Sequence, residues 1–285
     1  MRRLDAPVFD AWETTMHAAS KFDGTPINDR IAAAEGSFRA HYELFAAASA
    51  DAAWFELQRC AFGNPDQIIF DDFSKRELKE LYEIGLVKGA ENARDIYDQI
   101  KVAAEGRCPY CGGIGSVDPL DHYLPKARYP QFAVCPTNLV PCCDRCNKLS
   151  GSGGFDSYEE QAINPYFDDL RFFEQPWISV EFPESAIIPL RYLFDPPDDW
   201  SDRDKERAEN HFKDFELAKR YVAAASPDVS YLGGSFVDRM RGLLSASQLR
   251  QLLSSKSNAI ELDLNGWQRP LYRALADADW YLAQF

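Results

Sequence analysis

The chain has 285 residues, 46% of them hydrophobic, and 31 Lys and Arg against 45 Asp and Glu give a formal charge of −14. That is enough apolar material for one large core or two modest ones, while no stretch approaches the roughly 18–20 consecutive apolar residues of a membrane span. The odd count of seven cysteines argues against a secreted disulfide framework and for a cytoplasmic protein, and the acidity argues against a surface built to grip long DNA.

From Pro7 to about Ala104 apolar residues recur at intervals of three and four, which predicts helices. One covers RIAAAEGSFRAHYELFAAASADAAWFELQRCA and another SKRELKELYEIGLVKGAENARDIYDQIKVAAEG, with a break at Asn64-Pro65. Ser74, with Glu77 three residues on, forms a capping box. Phe38, Tyr42, Phe45, Trp54 and Phe55 are expected in the core, and His17 and His41 are expected to be structural.

Cys108 to Ser150 reads CPYCGGIGSVDPLDHYLPKARYPQFAVCPTNLVPCCDRCNKLS. Two Cys-x-x-C pairs, Cys108/Cys111 and Cys143/Cys146, each let two thiolates of a tight knuckle point at one ion, and together they complete the four-sulfur shell of structural zinc. Gly112 and Gly113 suit the positive φ that a turning knuckle needs. Cys142 adjoins Cys143, but only Cys143 has the two-residue spacing to Cys146. Cys60, Cys135 and Cys142 are left as buried thiols. Closing such a clamp brings Asp121-His122 and Asn147 near each other although 25 positions separate His122 from Asn147.

Gly151–Gly154 is a flexible exit, followed by NPYFDD and RFFEQPWISVEF, where WISVEF alternates as a strand does. Pro196-Pro197 ends that region. Trp200 to Ala225 predicts one long amphipathic helix, with Ser201 as N-cap and His211 structural. Two shorter helices follow, near residues 235–253 and 270–285. These segments divide the chain into a helical region at 1–104, a zinc-bearing module at 105–155 and a mainly helical region at 156–285.

Asp121-His122, Asn138 within NLVP, and Asn147 directly after the last cysteine together resemble the HNH endonuclease family, in a His-Asn-Asn form. The nearest pattern is its zinc-bearing branch, where one knuckle precedes Asp-His and a second ends in Cys-Asn. The resemblance implies a mostly α protein with a small embedded ββα-metal module: a hairpin carrying Asp-His and NLVP, then a helix from the second knuckle. It further implies that His122 is the general base, that Asp121 and Asn147 hold one catalytic Mg2+ or Mn2+, and that Asn138 orients the imidazole or braces the loop. Many members carry a second histidine where this chain has Asn147, which bears on metal preference and rate. DHYLPK, NLVP and NPYFD also resemble a group of bacterial HNH proteins that accompany mobile elements or antiphage systems, sometimes beside an ATPase partner.

Adjacent residues on a regular strand face opposite ways, so Asp121 and His122 serve one phosphate only where the strand ends or distorts. Pro119 and Pro125 bracket them and favour such irregularity. Between Lys101 and Gly154 six basic residues stand against four acidic ones. Lys126, Arg128, Arg145 and Lys148 are the candidate phosphate contacts to nucleic acid, with DNA as the first reading and RNA, which differs only in specificity, as the third. Taken singly, Asp-His is a hydrogen-bonded surface pair and Asn147 a helix cap. The alternative to a nuclease is therefore a zinc-stapled adaptor that binds a protein partner without catalysis.

Overall fold

The computed structural model describes residues 1–183 and 189–285. Helices take up 51% of the described residues and strands only 8%, so the protein is mostly α with small sheets. Among the described residues no helix is long and apolar enough to cross a membrane. The chain clusters into two compact units, one of residues 4–107 and 115–168, the other of 1–3, 108–114 and 169–285.

The first unit opens with α1 (Ala11–Ala19), whose Asp10 cap accepts from the Glu13 amide, then α2 (Pro26–Ala33) and α3 (Glu35–Ala50). Phe38, Tyr42 and Phe45 lie on one face of α3 and are buried, and Phe38 packs edge-on against Phe70 and Phe73. Those two rings come from the small antiparallel pair β1 (Ile68–Phe70) and β2 (Phe73–Ser74). The predicted helix does not run on through Trp54. It stops at Ala50, Ala52 takes φ +50°, and Gln161, more than a hundred residues on, bonds both the Ala52 carbonyl and the Phe55 amide. Trp54 is fully buried, whereas Phe55 is only half-buried and so stands outside the core where it was expected.

The capping box forms at α4 (Lys75–Glu80), with Ser74 and Glu77 bonding reciprocally, a motif worth about 1 kcal/mol. Its continuation is a π-helical turn, Leu81–Leu86. There Gly85 meets α1 so closely that a Cβ would sit 2.5 Å from the Ala18 carbonyl oxygen. The second predicted helix is therefore interrupted before α5 (Glu91–Val102).

Next come β3 (Leu120–His122) and β4 (Leu139–Pro141), antiparallel with Asp121 opposite Val140 and His122 opposite Leu139, and then α6 (Asp144–Leu149). This is the expected ββα order. Cys142 extends the hairpin, its amide bonding Pro119 and its carbonyl accepting from Asp118. From the NPYFD segment, Tyr166 donates its hydroxyl to the Leu139 carbonyl at 2.8 Å and so braces β4.

The second unit contains α7 (Arg171–Glu174) and the hairpin β5 (Ile178–Glu181) with β6 (Arg191–Phe194), the strand foreseen in WISVEF. Ser201 caps α8 (Asp202–Asp214) as predicted. The long helix expected from Trp200 to Ala225 is broken, because Glu216 adopts φ +50° and a new helix, α9 (Leu217–Gly233), starts after it. Then follow α10 (Ser235–Met240), α11 (Ala246–Ser257), α12 (Gln268–Asp277) and α13 (Asp279–Leu282). His211 is structural: its Nε2–H donates to the Tyr110 carbonyl at 3.0 Å, its ring lies against Phe215, and burial pushes its pKa down to about 3.

Candidate metal centre and nuclease-like site

Four cysteines converge. Cys108, Cys111, Cys143 and Cys146 are all buried, and their sulfurs lie within 4.8 Å of one another. A tetrahedron of thiolates around zinc, at about 2.3 Å from the ion, needs sulfurs about 3.8 Å apart, so this set fits the ion. The first knuckle turns at Gly112 (φ +59°) and Gly113 (φ +76°), and the Gly113 amide bonds the Cys108 carbonyl. In the second, Cys143 caps α6 by accepting from the Cys146 amide. Gly115 makes room, since a Cβ there would come within 2.6 Å of the Cys143 sulfur. Cys142 is buried but is not one of the four.

Asp121 and His122 occupy the end of β3, where the strand stops. Their exposures are 6% and 8%. The His122 Nε2–H donates to the Ala133 carbonyl at 2.9 Å, which leaves the lone pair of the neutral ring on Nδ1. Tyr82, from the π-helical turn, packs edge-on against the imidazole with ring centroids 4.3 Å apart. Burial and the nearby Lys126 charge push the His122 pKa down to about 3, only partly offset by the bond to Ala133, so the ring is neutral at ordinary pH.

Asp121 is the electrostatic counterpart. Burial pushes its pKa up to about 7, against the bonds it receives from Ser150 and the His122 amide and against the Lys126 charge. Its Oδ2 atom is buried with no hydrogen-bond partner among the described residues. A buried, unpartnered carboxylate oxygen is costly in itself and is the kind of donor that a hard divalent cation satisfies. Ser150 lies between this carboxylate and α6: its single hydroxyl proton is shared between the Asp121 carboxylate and the Asn147 carbonyl, the latter at 3.0 Å.

Asn138 is fully buried and works as a clasp. Its Oδ1 accepts from the Leu124 amide at 2.8 Å, and its Nδ2 donates to the carbonyls of Leu124 and Phe132 at 3.2 and 3.1 Å. Phe132 immediately precedes Ala133, whose carbonyl fixes the imidazole. Asn138 thus touches the loop that holds His122 and not the ring itself.

The candidate phosphate contacts are distributed unevenly. The Lys126 charge acts on both Asp121 and His122; its Nζ sits 4.6 Å over the Tyr82 ring and pairs with Glu83 at 3.3 Å. Arg145 and Lys148 are exposed on α6, Lys148 paired with Asp144. The Arg128 Nε is buried without a partner among the described residues. Lys101 pairs with Asp118 and Arg107 with Glu105, so much of the local basic excess is neutralised within the fold.

With this geometry in view, similarity to known proteins is informative. Over 230 residues, 75% of this chain and 76% of the other, the sequence is 34% identical to protein ea31 of Escherichia phage lambda. The chain belongs to the Ea31 family. A shorter likeness, 45% identity over 49 residues, links this Ea31 relative to Septu protein PtuB of Bacillus thuringiensis and covers 17% of this chain and 18% of PtuB. No protein-family model and no solved structure matches.

Three partners of the site were missed in the sequence. Tyr82 lies forty residues before His122 in a helix that gives no outward sign of its π turn; Ser150 reads as a flexible serine after the helix; the Ala133 carbonyl is a backbone group. Only the π turn belongs to a class of feature often found at functional sites.

Proposed function

We propose that this Ea31-family protein is a metal-dependent HNH-type endonuclease that hydrolyses phosphodiester bonds in DNA. The observation that carries this is the pairing, at one strand end, of an imidazole held in a single tautomer with a buried carboxylate whose Oδ2 has no hydrogen-bond partner among the described residues. His122 Nδ1 takes the proton of the attacking water, and the Ala133 carbonyl steadies the imidazolium that results. Asp121 and the side chain of Asn147 would hold one Mg2+ or Mn2+, which when bound neutralises charge on the scissile phosphate and stabilises the leaving oxygen. Asn138 keeps the 124–133 loop closed so that the Ala133 carbonyl stays aimed at Nε2. The four cysteines would hold a structural zinc that sets the start of α6.

The net charge of −14 and the internal pairing of Lys101, Arg107, Lys126 and Lys148 support weak binding to duplex DNA by the chain alone. A protein partner, such as an ATPase, would then deliver the substrate, and the likeness to Septu protein PtuB supports an effector role in a bacterial antiphage system. Cys60 and Cys135 as thiols suit the reducing cytoplasm. The test is cleavage of supercoiled plasmid with Mg2+ or Mn2+ by the wild type and by His122→Ala. Nicking by the wild type alone supports the assignment; equal cutting by both refutes it. One observation favours the adaptor alternative, namely the low exposure of Asp121 and His122. That alternative predicts no cleavage by either protein while zinc remains bound.

A further inference from the structure

Lys126 is held by two neighbours that come from one turn. Its Nζ sits 4.6 Å over the Tyr82 ring and 3.3 Å from the Glu83 carboxylate. Both residues belong to the π-helical turn Leu81–Leu86, in which the Val87 amide bonds the Tyr82 carbonyl at 2.9 Å. Successive helical residues point in different directions, so Tyr82 faces inward against His122 while Glu83 stays at the surface, and one long lysine reaches both. The Lys148–Asp144 pair differs in kind, because it spans four positions of α6 and follows from helix spacing alone. Glu83 and Lys126 stand 43 positions apart, and only the tertiary structure joins them.

The ring centroids of Tyr82 and His122 are 4.3 Å apart, which places the Lys126 ammonium within about 9 Å of the imidazole centre. A cation there suits a phosphate of a bound strand, and a carboxylate of the protein already takes that place. The side chains of Lys126 and Glu83 are 29% and 48% exposed, so solvent and ligand reach the pair. An exposed ion pair biases its equilibrium by no more than about fivefold, and a cation over a tyrosine face adds a similar amount. The contact is therefore firm enough to hold the lysine, yet weak enough for a phosphate that sheds its own counterions to replace it.

We propose that Glu83 is an intramolecular stand-in for a nucleic-acid phosphate: it occupies Lys126 in the free protein and is displaced by the backbone of the bound strand. The consequence for catalysis rests on the nuclease reading, since binding beside His122 is then conditional on a strand that wins the lysine. The π turn, a geometry frequent at functional sites, gains a double role. From adjacent positions it presents the ring that packs on the imidazole and the carboxylate that guards the cation.

The test uses the full chain without added Mg2+ or Mn2+, so that binding is read apart from cleavage. Fluorescence anisotropy of a short labelled DNA duplex, and of its single strand, is followed with wild type, Glu83→Gln, Lys126→Gln and the double variant over a range of salt. Glu83→Gln should bind about three- to fivefold more tightly at low salt, and the gain should shrink as salt screens the pair that wild type has to break. Lys126→Gln should bind the duplex more weakly, with a salt slope lower by about 0.9, the mark of one lost phosphate contact. In the double variant the Glu83 substitution should lose most of its effect, because the two residues act through each other. If Lys126→Gln proves unstable, the salt dependence of the exposed Glu83→Gln still carries the test. Unchanged or weaker binding by Glu83→Gln, an equal gain with and without Lys126, or no measurable binding by any variant at low salt overturns the proposal. The equal gain would make Glu83 merely one more negative charge on an acidic protein. Plasmid nicking with Mg2+ separates the two readings. Nicking by wild type with no tighter binding in Glu83→Gln would refute the stand-in and leave the nuclease intact; tighter binding by Glu83→Gln with no nicking by either protein would do the reverse.

Discussion

Replacing Asn138 by Ala removes the clasp of the 124–133 loop. The side chain is fully buried and makes hydrogen bonds of 2.8, 3.2 and 3.1 Å to the Leu124 amide and the carbonyls of Leu124 and Phe132. At about 1 kcal/mol net for each bond, and more for a buried amide left without an acceptor, the substitution should cost about 3–5 kcal/mol. That is a large part of the roughly 5–15 kcal/mol typical of a folded domain. Urea unfolding followed by tryptophan fluorescence should therefore show a clearly lower midpoint, with plasmid nicking lost as the loop opens. Asn138→Asp keeps the shape and the bond to the Leu124 amide but sets a carboxylate against two carbonyls, so it should be more destabilising at pH 8 than at pH 5. An Asn138→Ala protein within about 0.5 kcal/mol of wild type, the range of ordinary surface substitutions, would refute the clasp.

Other expectations follow from the same geometry. Elemental analysis should find about one zinc per chain in the wild type and in Cys142→Ser, but a loss of zinc and of thermal stability in Cys146→Ser, since four thiolates and not five form the site. Asp121 has a folded pKa raised to about 7 from an ordinary value near 3.8, so the metal-free native state holds more protons than the unfolded chain between those pH values. Its contribution to stability thus falls as pH rises through that window. Chemical denaturation of Asp121→Asn should show a growing advantage over wild type from pH 4 to pH 7 and a constant one above, and a parallel pair of curves would count against the burial argument. Glu216→Gly should stabilise the α8–α9 junction by about 1 kcal/mol, because only glycine adopts its left-handed φ of +50° without penalty.

Much of the site could be read without coordinates because its chemistry is local. Cys-x-x-C spacing determines how two sulfurs of one knuckle can point, and glycines at 112 and 113 announce the turn. Ser74 and Ser201 cap their helices as their neighbours demand. The periodicity of 38–45 marks a buried face that the fold uses. Where the prediction failed, distant residues intervened. Helix α3 ends before Trp54 because Gln161 offers the backbone there other partners. The helix after Trp200 breaks at Glu216, a residue with no intrinsic preference for a left-handed turn. Cys60, expected to be buried, is only half-buried and its amide bonds the Arg128 carbonyl.

The sequence by itself therefore determined the helical class, the two knuckles and the adjacency of Asp121 to His122, all of which depend on spacings of a few residues. Tertiary structure alone decided that Nε2 of His122 is committed to Ala133, and that Asp121 keeps a buried oxygen without a hydrogen-bond partner among the described residues, whereas the choice of Cys143 over Cys142 was already legible in the spacing to Cys146. The physical reason is that burial and hydrogen-bond pairing are properties of the packed interior. A residue's type says which bonds it can make, and only the surrounding chain says which of them are left to be made.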